Sequence, residues 1–239
     1  MRAVILAAGV GSRLQPLTDT TPKGLVPVAG KPMMGYAVEA FGAAGFSEVV
    51  VVTGHLAGQV RTFCDASSVR CTVVHNPRYD TANNYYSLLV AEEALGGETF
   101  IKVDSDLVFL PPVLDRILAA EGDLCIATDK GVNLGAEEMK IQLDDAGKVT
   151  GVSKLLDPVT CVGESIGMER ISAAFSPVLF DELRQMDAEG FTDAYYEDAY
   201  HRLAGRGQTD IRPVDVTGLP WSEIDDAKDL AQAEALFSA

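Results

Sequence analysis

Gly9, Gly11, Ser12, Arg13 and Lys23 are residues able to hold a chain of phosphates. Glycines let successive backbone N–H groups turn toward an anion. Arg13 and Lys23 add fixed positive charge. The loop follows directly on an apolar run, residues 3–7, that reads as a buried parallel strand. Open α/β sheets bind ligands at the carboxyl ends of their strands, so the loop predicts a polyphosphate cradle. An ordinary glycine-rich strand-to-helix turn would explain Gly9 and Gly11 alone. Ser12, Arg13 and the pair Pro22-Lys23 favour the cradle. Two better-known phosphate loops do not fit. The dinucleotide fingerprint needs a third glycine where Leu14 stands, and an acidic residue ending the second strand. The second apolar run, residues 49–52, ends in Thr53 and Gly54 instead. No Gly-Lys-Ser or Gly-Lys-Thr follows the glycines, so the Walker pattern fails as well.

Two pairs of carboxylates complete the chemical inventory. Lys-Val-Asp-Ser-Asp, residues 102–106, places Asp104 and Asp106 two apart, on one face of a continuing strand. A hard divalent cation such as Mg²⁺ takes one or two carboxylates together with phosphate oxygens. An Asp-rich turn is the plain alternative, and the preceding hydrophobic strand argues for the ligand pair. Glu223 and Asp225 repeat the spacing in Trp-Ser-Glu-Ile-Asp, residues 221–225. Here Asp225 or Asp226 could simply cap the following helix.

Charge agrees with the cradle. The chain has 35 acidic and 19 basic residues and a net charge of −16. Such a body repels polyanions and excludes a nucleic-acid binder. Yet residues 1–31 hold Arg2, Arg13, Lys23 and Lys31 against Asp19 alone, so that segment is locally positive. At 239 residues and 47% hydrophobic content the chain suits one α/β domain, with or without an appendage. No apolar run approaches membrane-span length, and Gly9 and Arg13 interrupt any signal-peptide pattern. Cys64, Cys71, Cys125 and Cys161 lack metal or redox spacing and are expected reduced, in a cytoplasmic protein. His55, His75 and His201 share no motif and are expected to be structural or solvated.

The elements that must position these groups alternate. Strands are predicted at residues 3–7, 48–53, 70–75, 99–104 and 124–128, and helices at 32–44, 56–65, 84–95 and 111–120. Repeated βα units imply a parallel sheet with helices on both faces. The rhythm then changes. Residues 139–143 and 149–153 flank Asp-Asp-Ala-Gly, a hairpin signal. A strand at 164–173 and helices at 176–187, 194–203 and 226–237 follow.

The run Leu6-Ala7-Ala8-Gly9-Val10-Gly11-Ser12-Arg13-Leu14 with Pro22-Lys23 resembles the opening of the nucleotidyltransferases that make nucleoside-diphosphate sugars and alcohols. Asn76-Pro77-Arg78-Tyr79 and Asn83-Asn84-Tyr85-Tyr86-Ser87-Leu88 resemble their cytidylyltransferase branch. So do Tyr195-Tyr196-Glu197-Asp198 and residues 221–225. Members of that branch act on phosphocholine, 2-aminoethylphosphonate and inositol phosphate. The resemblance spans nearly the whole chain. Sugar transferases typically carry Gly-Asp where Ser105-Asp106 stands, which weakens a sugar reading.

The resemblance implies an α/β fold with a doubly wound, mostly parallel Rossmann-like sheet, of the nucleotide-diphospho-sugar transferase type. It adds a small β-rich acceptor-binding insertion. A single domain, 1–239, is expected, with a nucleotide half over about 1–130 and an acceptor half over about 131–239. The implied reaction joins CMP from CTP to a small amino-alcohol phosphate or aminophosphonate (phosphocholine, phosphoethanolamine or 2-aminoethylphosphonate), with Mg²⁺ and release of pyrophosphate. Leu6, Ala7, Ala8, Gly9, Gly11, Ser12, Arg13 and Lys23 would bind the nucleotide, Arg13 and the loop amides at its β- and γ-phosphates, with Arg13 and Lys23 catalytic. Asn83, Asn84 and Ser87 would contact base or ribose, or cap their own helix, with Asp104 nearby. Asp106 and Asp225 would hold the metal, with Asp104 and Glu223 in support. Acidic and aromatic residues between 187 and 200 suit a cationic head group, or form a solvated helix face. Tyr195, Glu197, Asp198 and Glu223 would then meet the acceptor. Lys140 or Lys154 would take its phosphate, unless both are surface lysines. No nucleic acid and no membrane insertion are expected, and a homodimer is left open. A sugar-1-phosphate or inositol-1-phosphate nucleotidyltransferase is the first alternative. A non-catalytic nucleotide-binding regulatory domain is the second, opposed by the intact set Arg13, Lys23, Asp106 and Asp225.

Overall fold

The computed structural model describes residues 1–207 and 209–238. β1 (Arg2–Ala7) leads through the glycine loop to a small ribbon, β2 (Pro27–Val28) with β3 (Lys31–Pro32), and then to α1 (Met33–Ala43). Next come β4 (Glu48–Thr53), α2 (Ala57–Ala66), β5 (Arg70–His75), α3 (Asn84–Leu89), α4 (Glu92–Leu95) and β6 (Phe100–Asp104). β7 (Leu107–Phe109), α5 (Pro111–Leu118) and β8 (Leu124–Asp129) end the first half. The second half holds β9 (Lys140–Leu143), β10 (Val149–Ser153), β11 (Gly163–Ile171), α6 (Ser176–Ala188) and α7 (Tyr196–Gly205). It closes with β12 (Ile211–Asp215), β13 (Trp221–Glu223) and α8 (Ala227–Phe237).

One sheet runs β10-β9-β11-β6-β1-β4-β5, with β8 also on β11 and β12 on β8. Its centre, β6-β1-β4-β5, is parallel. β11 runs antiparallel to β6, β8 and β9 and so joins the two halves of the chain in one sheet. The sheet order turns at β1, which has β6 on one side and β4 on the other. Crevices at such a point are where doubly wound sheets bind ligands. Both faces of the centre are covered. Val4, Val50 and Val52 pack with Leu88, Phe180 and Tyr200 on one face. Ala3, Ile5, Val49 and Val51 pack with Ala37, Phe41 and Val60 on the other. Burial on both faces explains why β1 and β4 read as continuous apolar runs.

Several boundaries differ from the sequence expectation. The helix expected over 84–95 is two helices, because Ala91 N bonds to Leu88 O at 3.1 Å and tightens the turn between them. The helix expected from 194 begins at Tyr196. Asp226 is the N-cap of α8 and not its first residue. The ribbons β2–β3 and β7–β13, and the strand β12, have no counterpart in the pattern. Two or three residues carry no measurable period, and Pro213 lies inside β12.

Gly54 ends β4 where the phosphate loop passes. A Cβ there would lie 2.3 Å from Tyr79 Cβ and 2.8 Å from the carbonyl oxygen of Ala8. Backbone cannot move aside as a flexible side-chain end can. Gly54→Ala is therefore expected to destabilise the protein by about 1–3 kcal/mol. The urea midpoint should fall with an unchanged m-value, and an unchanged midpoint would contradict the tight approach.

Candidate active site

The loop after β1 enters its first turn through Gly11, at φ 68°. Only glycine takes that conformation at no steric cost. A Cβ there would also come within 3.0 Å of Lys23 Cβ. Thr18 Oγ1 donates to Gly11 O at 2.8 Å and fixes the loop from behind. A second approach is at Gly24, where a Cβ would meet Ser105 Cβ at 2.9 Å. Lys23 is thus pressed against the strand end that carries Asp106. A cleft of about 850 Å³ opens here, floored by the carboxyl ends of β1 and β6.

The centre of the cleft is an ionic bridge. Lys23 Nζ donates to Asp106 Oδ2 at 2.5 Å and to Asp225 Oδ1 at 2.7 Å. Arg13 Nη2 lies 2.8 Å from Asp225 Oδ2. Burial disfavours the Lys23 ammonium, yet Asp106 and Asp225 hold its pKa above the ordinary value. Burial works against the Asp225 carboxylate too, but Lys23 and then Arg13 keep its pKa below the usual range. Asp225 reaches the bridge because β13 pairs antiparallel with β7, Glu223 opposite Leu107. Ile224 N then donates to Asp106 O at 3.1 Å. A small apolar cluster of Leu14, Val26, Val28, Met33, Val108, Ile224 and Ala233 locks the phosphate loop, this ribbon and α8 together.

Asp106, Glu223 and Asp225 offer oxygens within 4.8 Å of one another. Asp106 Oδ1 is buried with no hydrogen-bond partner. An all-oxygen donor set with an unused buried oxygen fits a hard divalent cation of the Mg²⁺ type. Asp104 is placed differently. Its Oδ2 accepts from Lys102 Nζ at 2.8 Å and from Tyr196 Oη at 2.6 Å. It borders the cleft but is tied into a buried network beneath it.

Leu6, Ala7, Ala8, Gly9, Gly11, Ser12, Arg13 and Lys23 all line the cleft, as do Asn83, Asn84 and Ser87. The side chains of the last three already have partners. Asn83 caps α3 through Asn84 N at 2.8 Å and donates to Asp193 O at 3.1 Å. Asn84 Oδ1 accepts from Tyr196 N at 3.0 Å, and Ser87 Oγ accepts from Asn76 at 2.9 Å. These bonds tie α3 to the start of α7. Tyr195, Glu197, Lys154 and Glu223 also line the cleft.

Lys140 and Asp198 are not brought there. Lys140 is buried, and its amine donates to Gly135 O at 2.8 Å and Glu138 O at 3.0 Å, because that loop folds back on β9. Asp198 accepts from Tyr195 N at 2.7 Å as part of the cap of α7, and borders a separate groove with Phe191 and Arg202. Ser165 and Gly167 of β11 line the cleft without having been singled out, and Lys102 and Glu169 lie beneath it. Lys102, standing between apolar residues of β6, was the available signal, whereas Glu169 lies in a strand that carries other polar residues.

A glycine-rich loop at the turning point of a doubly wound sheet, faced by three carboxylates, is the arrangement of an α/β domain of the nucleotide-binding class. The chain belongs to the MobA-like NTP transferase domain family, which matches residues 3–198. It is 31% identical over 249 residues to CMP-5'-(3-aminopropyl)phosphonate synthase of Streptomyces rubellomurinus, covering all of this chain and 39% of that protein. It is 38% identical over 107 residues to choline-phosphate cytidylyltransferase of Streptococcus pneumoniae, covering 45% of this chain and 46% of that one. The chain thus spans less than half the length of the first, and the match to the second covers less than half of either protein. The fold matches that of the solved CTP:phosphocholine cytidylyltransferase of Streptococcus pneumoniae with a TM-score of 0.79 at 24% identity, over 98% of this chain and 97% of that one.

Removing one charge from the carboxylate cluster tests its cation affinity. Asp106→Asn and Asp225→Asn are each expected to weaken Mg²⁺ binding by about tenfold or more. Calorimetric titration measures this, with circular dichroism checking the fold. Undiminished binding in both variants would exclude the cluster as a metal site.

Proposed function

We propose that this chain transfers CMP from CTP to a small amine-bearing phosphate or phosphonate acceptor, with release of pyrophosphate. The observation that carries the reading is the meeting of Lys23 and Arg13 with Asp106 and Asp225 in one cleft at the end of β1. The choice of CTP and of an amine-bearing acceptor is supported by the activities of the two relatives.

In this reading an oxygen of the acceptor phosphate or phosphonate attacks the α-phosphorus. The bond from α-phosphorus to the bridging oxygen breaks, and its electron pair leaves with pyrophosphate. The nucleophile is anionic near neutral pH, so no side chain need take a proton. Phosphoryl transfer asks mainly for positioning and charge neutralisation. Arg13 and the backbone amides of residues 9–12 hold the β- and γ-phosphates. Lys23 meets the charge that grows between acceptor, α-phosphate and leaving group. Mg²⁺ held by Asp106 and Asp225, with Glu223 beside them, would neutralise charge on the phosphate oxygens. Leu6, Ala7, Ala8, Asp104, Asn83, Asn84 and Ser87 shape the walls for base and ribose. Lys154 takes the acceptor phosphate, and Tyr195 and Glu197 face its amine.

No helix of the described residues is long and apolar enough to cross a membrane. Among those residues all four cysteines are free, which suits a reducing compartment, and we place the reaction in the cytoplasm.

Lys23→Ala is expected to lower kcat far more than it raises the KM for CTP, because only contacts strengthened in the transition state raise kcat. Arg13→Ala should change both. A pure KM effect for Lys23→Ala in steady-state kinetics would refute its role.

The reaction itself is tested by pyrophosphate release from CTP and UTP with a panel of acceptors. Phosphocholine, phosphoethanolamine, 2-aminoethylphosphonate, inositol 1-phosphate and glucose 1-phosphate are compared at equal concentration. CTP with an amine-bearing acceptor should give the highest rate. Preference for inositol 1-phosphate, or for glucose 1-phosphate with UTP, would replace the proposed function.

A further inference from the structure

Beneath the acceptor end of the cleft, β6, β11 and α7 bring Lys102, Asp104, Glu169 and Glu197 together. Lys102 and Glu169 are fully buried and Glu197 is 6% exposed. Three carboxylates therefore share one ammonium. Lys102 Nζ donates to Asp104 Oδ2 at 2.8 Å and to Gly167 O at 3.4 Å, and lies 3.2 Å from Glu169 Oε2. Its hydrogen bonds go to Asp104 and Gly167, and neither oxygen of Glu169 has a hydrogen-bond partner. Among the described residues no cation forms an ion pair with Glu197. Glu197 Oε2 and the neighbouring Tyr200 Oη are buried without a hydrogen-bond partner. Burial first, then Asp104 and Glu169, push the Glu197 carboxyl up to about 8, against the pull of Lys102. Glu197 itself lines the cleft. Glu197 thus borders the cleft with a buried oxygen that, among the described residues, no cation or hydrogen-bond donor meets.

We infer that this floor selects a primary ammonium over a quaternary one, with Glu197 as the receiving carboxylate. The inference rests on the reading above that the cleft takes an amine-bearing acceptor, and it narrows that amine. A primary ammonium carries three donors and can satisfy Glu197 and an adjacent oxygen together. A trimethylammonium carries none and would leave buried oxygens unpaired, which low-dielectric surroundings make costly. Quaternary heads are instead recognised by open aromatic faces. Here the face of Tyr196 is taken by the chain's own Lys102, whose Nζ sits 3.5 Å from the ring centroid. The ring of Tyr195 has Lys154 at 5.2 Å.

Three phosphonates that differ only at the head group decide the matter: 2-aminoethylphosphonate, its N,N,N-trimethyl analogue and ethylphosphonate. Binding is measured by calorimetry on the intact chain with Mg²⁺ and a non-hydrolysable CTP analogue, and turnover separately with CTP. The primary amine should bind at least about tenfold more tightly than either of the others. Glu197→Gln, which keeps shape and removes charge, should shrink that advantage to about threefold or less while leaving affinity for the CTP analogue unchanged. Equal or tighter binding of the trimethyl compound overturns the inference, and so does a full advantage retained in Glu197→Gln. Turnover speaks to the other question. Failure to form a CMP conjugate with any amine-bearing phosphate or phosphonate, phosphocholine and phosphoethanolamine included, refutes the proposed reaction, whereas the order of binding alone decides the ammonium preference.

Discussion

Asp106 and Asp225 are held together by Lys23, and the site exists because of that bridge. Three carboxylates with oxygens within 4.8 Å of one another repel strongly in a partly buried cleft. Without a cation between them, one would take up a proton or swing away. Lys23 supplies the charge, and in doing so it joins residues 83 and 202 positions distant along the chain. The same bridge keeps Lys23 pointed at the place where phosphates would lie. Arg13, resting on the second oxygen of Asp225, is drawn in by the same charge.

The bridge is assembled by small pieces of structure and not by the large sheet alone. The sheet brings the ends of β1 and β6 side by side, with Ser105 N donating to Leu6 O at 3.1 Å. It has no strand that could deliver the chain's C-terminal carboxylates. The three-residue ribbon β7–β13 does that, and α8 holds it in place. Asp226 and Asp229 cap α8 reciprocally, and Asp229 Oδ2 also accepts from Asp225 N. Asp226 therefore serves the helix, and Asp225 is left for the cleft. The ambiguity between cap and ligand in that pair is resolved by giving each aspartate one task.

A second lysine repeats the device at a lower level. Lys102 gathers carboxylates under the floor as Lys23 gathers them above it. The difference lies in balance and access. Lys23 is shared by two carboxylates that also border open solvent, whereas Lys102 is sealed and leaves Glu197 without a partner. One cluster is thus suited to polyphosphate and a metal ion, the other to a single organic cation.

Features whose signal is local can be read from the chain alone. The apolar runs of β1, β4 and β6, the φ-permissive Gly11 and the charges of Arg13 and Lys23 are legible because each depends on near neighbours. Strand periodicity and glycine chemistry need no distant partner. The carboxylate pairs were legible as pairs for the same reason. Only the tertiary structure decided which members face the cleft. Asp104 and Asp106 are two residues apart, yet one turns down to Lys102 and the other up to Lys23, because β6 ends between them. Lys140 and Asp198 read as acceptor ligands by type, yet the Lys140 amine bonds the carbonyls of the loop just before β9 and the Asp198 carboxylate serves the cap of its own helix. Lys102, Glu169 and Glu197 come from two strands and a helix, far apart in the chain. That Glu197 is left with an unpartnered buried oxygen follows from how these elements pack, which no spacing along the chain can encode.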